Sequence, residues 1–450
     1  MQRFPRILLL MLALFTGISA CEKKAPEQTT SPPAQPAPPT AVVSPSDAQI
    51  ADAYLYLLGR LLVLRQQRLD FEREGFAWNK LIHREPGGVA WANPNLDVAY
   101  SEAWVAVDER SCVQLDIPKI KGRYYTWHML NGWGETVLNI NERAFPQQPS
   151  GRYALCLQGS AASVPAGALR VDLPAKTTRV LARIELGADP KEAVRLQRQF
   201  KLTPLGEPII DAPIEAPLFS NDQLPRAEAF DLAEAILQGE ADLNPGMETV
   251  RKQVLNAAAL VKSGPQGRAR VDRVIEQVAW PELRQRLAEP GPGQNGWRRP
   301  EAIGNYGSDF GMRTVANFSG IWANSADEAV YFANTGLDGG ATYRQNFPAA
   351  ALPKTKAHYF WSVIAVDAKD FRVTSNPLKR YLLNNRSPLK YNADGSLTLV
   401  FAPAQPKEVP KGNWLPTPAG THYNLTFRFY GPSGDVAGGH YFPPPLEQQN

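Results

Sequence analysis

Three groups of side chains in this 450-residue chain have types and spacings that chemistry can use. Asn93, Asn95, Asp97, Tyr100, Ser101 and Trp104 set carboxamides, a carboxylate and a phenol at the start of a β-like run. Such a set can hydrogen-bond the hydroxyls of a polar ligand, and a buried Asp97 can act as acid or base. The competing and preferred reading is a loop whose Asn and Asp side chains fasten their own backbone, with Tyr100 and Trp104 in the core. A second group is Arg123, Tyr125, Trp127, His128, Asn131 and Trp133. Here His128 is the best general base by type, because imidazole titrates near neutrality, although a satisfied core histidine is the commoner case. The third group is Asp338, Tyr343, Trp361, Asn376, Arg380 and Trp414. Arg380 beside Asn376 could clamp a carboxylate or phosphate bidentately, while Asp338-Gly339-Gly340 reads equally as a turn capped by its own carboxylate.

Familiar catalytic signatures are missing: the sequence contains no HExxH, CxxC, GxSxG or P-loop. The five histidines (His83, His128, His358, His422 and His440) include no i,i+2 or i,i+4 pair, so neither a metal site nor a cofactor is expected. The formal charge is +4, and no basic run interleaves with aromatics, which argues against a nucleic-acid partner. Oligomeric state is not legible.

The N-terminal residues read as an export signal. Arg3 and Arg6 precede the apolar run Ile7 to Phe15, which at roughly 14 Å of helix is too short to span a bilayer core of ~30 Å. Ile18-Ser19-Ala20-Cys21 resembles the lipobox of bacterial lipoproteins, in which the cysteine becomes the acylated (palmitate-bearing) N-terminus. Membrane lipid through Cys21 is therefore an expected partner. Glu22 after the cysteine favours the outer over the inner membrane, with the folded part in the periplasm. Glu22 to Pro45 has seven prolines and no aromatic residue, the composition of a semi-rigid stalk. Cys112 and Cys156 then remain, and in an oxidising compartment they can form a disulfide or stay as two buried thiols.

The elements that must position the three groups follow from periodicity. Ser46 with Gln49 has the spacing of a capping box, and Ile50, Tyr54, Leu57, Leu58, Leu61 and Leu64 make a stripe, predicting an amphipathic helix on a core. From Ala103 the period changes to two, through short runs ending at Thr178 to Leu186. In Tyr124 to Leu130 both alternating faces are largely apolar, so that strand is expected to be central. Helical runs occupy Arg226–Gln238, Pro245–Lys262 and Arg268–Leu287, the last interrupted by Pro281. Strand patterns return at Val330, Thr342, His358, Leu397 and Tyr423. The expected fold is mainly β with an α insert: two β-sandwich (jelly-roll-like) domains joined by a helical block. The expected boundaries are signal peptide 1–20, lipidated stalk 21–45, N-terminal domain with its leading helix 46–205, connector and helical block 206–300, and C-terminal sandwich 301–450.

Several runs also resemble known families. Pro94-Asn95-Leu96-Asp97-Val98-Ala99-Tyr100-Ser101 with Ala103-Trp104, and later Gly122-Arg123-Tyr124-Tyr125, resemble the domain of unknown function 1254. Leu337-Asp338-Gly339, Phe360-Trp361-Ser362, Asn376 to Tyr381, Asn413-Trp414-Leu415-Pro416 and Arg428-Phe429-Tyr430 resemble its companion, the domain of unknown function 1214. The resemblance implies two β-sandwich-like domains with a helical connection and brings no catalytic residue. The features favour binding of a small polar ligand, sugar-like or carboxylated, in a cleft lined by aromatic, Asn and Asp residues. The alternatives are a hydrolase using Asp97 or Asp338 with His128, and an envelope scaffold or assembly protein.

Overall fold

The computed structural model describes residues 44–87 and 92–449, so the expected signal peptide, Cys21 and nearly all of the stalk lie outside the described residues. Ser44 and Pro45, assigned above to the stalk, belong to the folded body: Arg270 donates to Ser44 Oγ and to the Pro45 carbonyl, both at 2.7 Å. Helix α1 runs from Asp47 to Arg73 and is roughly 40 Å long. Ser46 and Gln49 form the reciprocal capping box their spacing predicts. The amphipathic expectation needs correction, because nearly every residue from Ile50 to Leu64 is buried. That stretch is apolar all round, and such a helix is stable only when enclosed.

Strands β1 (Ile82–His83), β2 (Val98–Ala106), β3 (Val113–Ile117), β4 (Tyr125–Leu130), β5 (Thr136–Ile140), β6 (Gly151–Leu157), β7 (Leu169–Leu173) and β8 (Thr177–Glu185) lead to helix α2 (Pro190–Gln197) and strand β9 (Lys201–Pro204). They form two sheets, ordered β1-β2-β8-β4-β5 and β7-β6-β3-β9. Val105, Leu115, Trp127, Leu155 and Ala182 fill the space between them. A disulfide joins Cys112 and Cys156, next to the cross-strand pair Val113–Leu155.

The helical segment holds α3 (Ala233–Gly239), α4 (Met247–Lys262), α5 (Pro265–Val274) and α6 (Trp280–Ala288), with a π turn at Ile275–Ala279 just before Pro281. Proline lacks the N–H an uninterrupted helix needs, and the wider turn carries the chain past it. After β10 (Gly293–Gln294) and β11 (Trp297–Arg298) comes α7 (Phe310–Ser319), a helix within the 301–450 stretch expected to be a β-sandwich. Instead α7 packs on α1. At Gly59 the two helices are so close that a Cβ would lie 2.6 Å from Thr314 Oγ1. No described helix is long and apolar enough to cross a membrane.

The remaining elements are β12 (Ala329–Asp338), β13 (Thr342–Phe347), β14 (Ala357–Asp367), β15 (Leu382–Asn384), β16 (Leu397–Ala402), β17 (Trp414–Pro416), β18 (His422–Pro432), α8 (Gly434–Ala437) and β19 (Glu447–Gln449). They give a third sheet, β10-β11-β12-β18-β14-β15, and a fourth, β17-β16-β13-β19, packed through Phe332, Phe347, Trp361, Leu399 and Phe427. The fold is thus mainly β in two regions, with a helical segment over 227–319 between them. The first and third sheets also meet through their other faces, where Tyr100, Trp104, Tyr124 and Leu181 pack with Phe360 and Tyr430. Consequently β2, β4, β8 and β18 are buried on both faces, and any charge on them needs a special reason.

Candidate functional site

Along β8, Val180, Ala182 and Ile184 point into the first sandwich, so alternation sends Arg179, Leu181, Arg183 and Glu185 to the opposite face. Along β18, Phe427 and Phe429 take the core side and Thr426, Arg428 and Tyr430 the other. The two exposed-by-alternation faces are turned toward each other and bound a cavity of about 130 Å³. Arg183 and Arg428 lie in its wall, together with Tyr100, Tyr331 and Tyr430. Most of the remaining lining is apolar, including Leu181, Met312, Val315, Ile321 and Phe332.

Three other buried arginines are neutralised, while Arg299 (9 % exposed) donates to the Ala437 carbonyl at 3.0 Å. Arg179 pairs with Glu102 and Asp70, Arg313 with Asp242 at 2.8 Å and Glu135 at 3.6 Å, and Arg60 with Glu240 at 3.8 Å. Arg183 and Arg428, only 4 % and 2 % exposed, have no carboxylate within ion-pair distance among the described residues. Arg428 donates through Nη2 to the Asn93 carbonyl at 2.6 Å, and its Nη1 makes no hydrogen bond. Arg183 donates to the Trp322 carbonyl at 2.9 Å and the Leu181 carbonyl at 3.4 Å. Trp322 itself has a left-handed backbone, φ 63°, an uncommon conformation for a bulky residue.

Electrostatically the tyrosines do not relieve this charge. Burial pushes the Tyr100 phenol up to about 12, and Tyr100 feels both guanidiniums. Burial likewise holds Tyr331 and Tyr124 well above the ordinary phenol value, Tyr124 with help from Glu328. All three therefore stay protonated at neutral pH, so no phenolate neutralises either arginine; the buried Asp97 carboxyl feels the charge of Arg428 without forming an ion pair with it.

His128 is fully buried on β4, with its Nδ1 2.9 Å from Arg183 Nη1 and its Nε2 2.9 Å from Thr136 Oγ1. A guanidinium can only donate, so Nδ1 accepts and Nε2 carries the hydrogen that Thr136 receives. Burial, then the charge of Arg183, hold the imidazole well below its ordinary value. The general-base expectation for His128 fails on this geometry, because its basic nitrogen is already occupied; it orients Arg183 instead.

The first group from the sequence splits. Asn93, Asn95 and Tyr100 border the cavity. Asn93 is pinned there by Thr426 Oγ1, which donates to its Oδ1 (2.9 Å), and by its own donation to the Ser319 carbonyl (2.8 Å). Asn95 Oδ1 accepts from Asp97 N at 2.8 Å, the local fastening described above. Asp97 turns away, to a separate and wider depression of about 420 Å³ that also carries Glu185, Arg380 and Arg386. There it accepts from Asn384 Nδ2 at 2.6 Å, and burial raises its carboxyl. Trp104 is buried in the core and donates to Asp70 at 2.8 Å.

The other candidates are structural in their contacts. Arg123 donates to the Glu185 and Leu186 carbonyls, and Arg380 to those of Lys411 and Trp414, so the proposed carboxylate clamp at Arg380 is a backbone tie. Asn376 closes its own loop onto Arg380, Asn131 accepts from Trp133 N and Glu135 N, and Asp338 caps Gly340 N at 2.8 Å. Tyr125, Tyr343 and Trp361 lie in sandwich cores, and Trp414 donates to the Ala402 carbonyl. No group of His, Cys, Asp and Glu among the described residues could hold a metal ion. Sequence reasoning missed Arg183, Arg428, Trp322, Tyr331 and Tyr430. The available signal was a charge at a core-pattern position of a strand apolar on both faces.

Residues 78–204 match the family described as "Protein of unknown function (DUF1254)", and residues 328–434 the one described as "Protein of unknown function (DUF1214)". No curated protein matches the chain. Among solved structures, the VPA0106 protein from Vibrio parahaemolyticus is similar at 19% identity and TM-score 0.58, covering 90% of this chain and 100% of its own. An uncharacterised protein from Burkholderia cenocepacia aligns at 14% identity and TM-score 0.44, over 90% and 93%. The first of these supports the fold and nothing further. The chain is thus similar to DUF1254 over residues 78–204 and to DUF1214 over residues 328–434.

Proposed function

We propose that this protein is a binding protein for a small anion, which it holds in the cavity between the first and third sheets. The observation that carries the reading is the pair Arg183 and Arg428, both buried in the lining of one cavity with no ion-pair partner among the described residues. An unneutralised buried charge is costly, and a ligand carboxylate or similar anion would offset it with charge-assisted hydrogen bonds. The sugar-like alternative leaves the two buried guanidinium charges without a counter-charge. The hydrolase alternative loses its base at His128, and Asp338 is engaged in a turn.

The test is a thermal-shift titration of the purified protein with carboxylates, phosphate and sulfate, set against neutral amides and sugars. At a hundredfold excess over Kd a bound anion adds about 2.7 kcal/mol of stability. Anions that stabilise the wild type and leave Arg428→Met unmoved support the reading; stabilisation by sugars alone sinks it. We further propose export and lipid anchoring at Cys21, with the outer membrane favoured. The lipobox-like Ile18 to Cys21 and the Cys112–Cys156 disulfide support this placement. Palmitate labelling that persists in Cys21→Ser would contradict it.

A further inference from the structure

The cavity's size and the uneven chemistry of its wall narrow the class of anion. We infer that the ligand is a monocarboxylate with a single-ring aromatic body; this rests on the anion reading above and goes beyond it. The space is about 130 Å³. An apolar cavity of ~150 Å³ takes one benzene molecule, so one ring is the upper scale. Charge recognition is confined to Arg183 and Arg428. Nη1 of Arg428 has no hydrogen bond, and the Nε of Arg183 has none either. A planar carboxylate matches these planar donors.

The apolar part of the lining is made of Leu181, Met312, Val315, Ala316, Ile321 and Phe332. Besides the arginines, the unpaired donors among the described lining residues are Asn95 Nδ2 and Trp322 Nε1, both uncharged; phosphate, sulfate or the second charge of a dicarboxylate would meet no further cation there. A compact apolar body satisfies that apolar part. Aromatic residues Phe371 and Trp322 border the same space, which suits the edges and faces of a ring. Met312, unbranched and polarizable, can adjust to the ring's outline.

Calorimetric titration of the full chain with benzoate, acetate, inorganic phosphate, benzamide and 2-naphthoate tests this. Each buried methylene-sized group tightens binding roughly fourfold, so benzoate should bind at least tenfold tighter than acetate. Benzamide, which lacks the charge, should not bind measurably, and 2-naphthoate should bind more weakly than benzoate. Ala316→Leu, which fills the apolar part, should weaken benzoate tenfold or more and leave acetate within threefold. If that variant fails to fold, Met312→Ala serves instead: by enlarging the same part it should reverse the preference toward 2-naphthoate. Acetate or phosphate binding as tightly as benzoate would overturn the aromatic inference and leave the anion reading standing. If no anion binds, or if Arg428→Met binds benzoate like the wild type, the anion reading itself falls.

Discussion

Arg428→Met separates a ligand-binding arginine from a structural one, because the two roles move stability in opposite directions. The substitution removes a guanidinium that is 2 % exposed and whose one described hydrogen bond goes to the Asn93 carbonyl. Losing a charge-assisted bond of this kind costs about 1.5–3 kcal/mol. Against that stands the removal of a buried, unpaired charge, whose desolvation penalty is several kcal/mol after relaxation. Methionine keeps the length of the side chain and fills the same space. The unliganded variant is therefore expected to be as stable as the wild type or more stable by about 1–2 kcal/mol. Breaking a true buried ion pair would instead cost about 3–5 kcal/mol. Urea denaturation with and without saturating benzoate reads both quantities. The variant should lose the ligand's stabilisation, about 2.7 kcal/mol at a hundredfold excess. An unliganded variant weaker by 3 kcal/mol or more that still responds to ligand would refute the reasoning.

The histidine behind the cavity makes a pH prediction. The folded state holds His128 well below its ordinary value, so below pH ~6.5 the unfolded chain takes up a proton that the folded one refuses. Stability then falls toward acid by up to about 1.4 kcal/mol per pH unit for this site. His128→Gln should flatten the acid limb relative to the wild type; His83, also held low by burial, is present in both and cancels in the difference. Identical limbs would contradict the assignment of a neutral His128. At the helix crossing, Gly59→Ala gains about 1 kcal/mol of helix propensity but forces Thr314 Oγ1 away from the Leu55 carbonyl, to which it donates at 2.8 Å. Overpacking of this kind costs about 1–3 kcal/mol, so the expected outcome is a lower urea midpoint; an unchanged or raised midpoint would show that α1 and α7 are not in close contact there.

How much of this was legible depended on whether the signal was local. The two-residue period of Tyr124 to Leu130 identified β4 as buried on both sides, and the structure places it between β8 and β5. The capping box at Ser46 was likewise written in neighbouring residues. Helix α7 was not, because Phe310–Ser319 is short and its stability comes from packing on α1, far away in sequence. The site divided in the same way. Asn93, Asn95 and Tyr100 form a local cluster and do reach the cavity. Arg183 and Arg428 stand in different halves of the chain, and nothing local in either run shows that the facing sheets bring them to one cavity. Arg380 showed the reverse: a promising neighbour in Asn376, and a guanidinium consumed by two backbone carbonyls.

The most direct measurement is a crystal structure of the protein with benzoate. The account predicts the carboxylate between Arg183 and Arg428, one oxygen about 3 Å from Arg428 Nη1, a normal charge-assisted distance, with the ring against Leu181, Met312 and Val315. Benzoate bound elsewhere at saturating concentration, or lying in the cavity with its carboxylate turned away from both arginines, would contradict it.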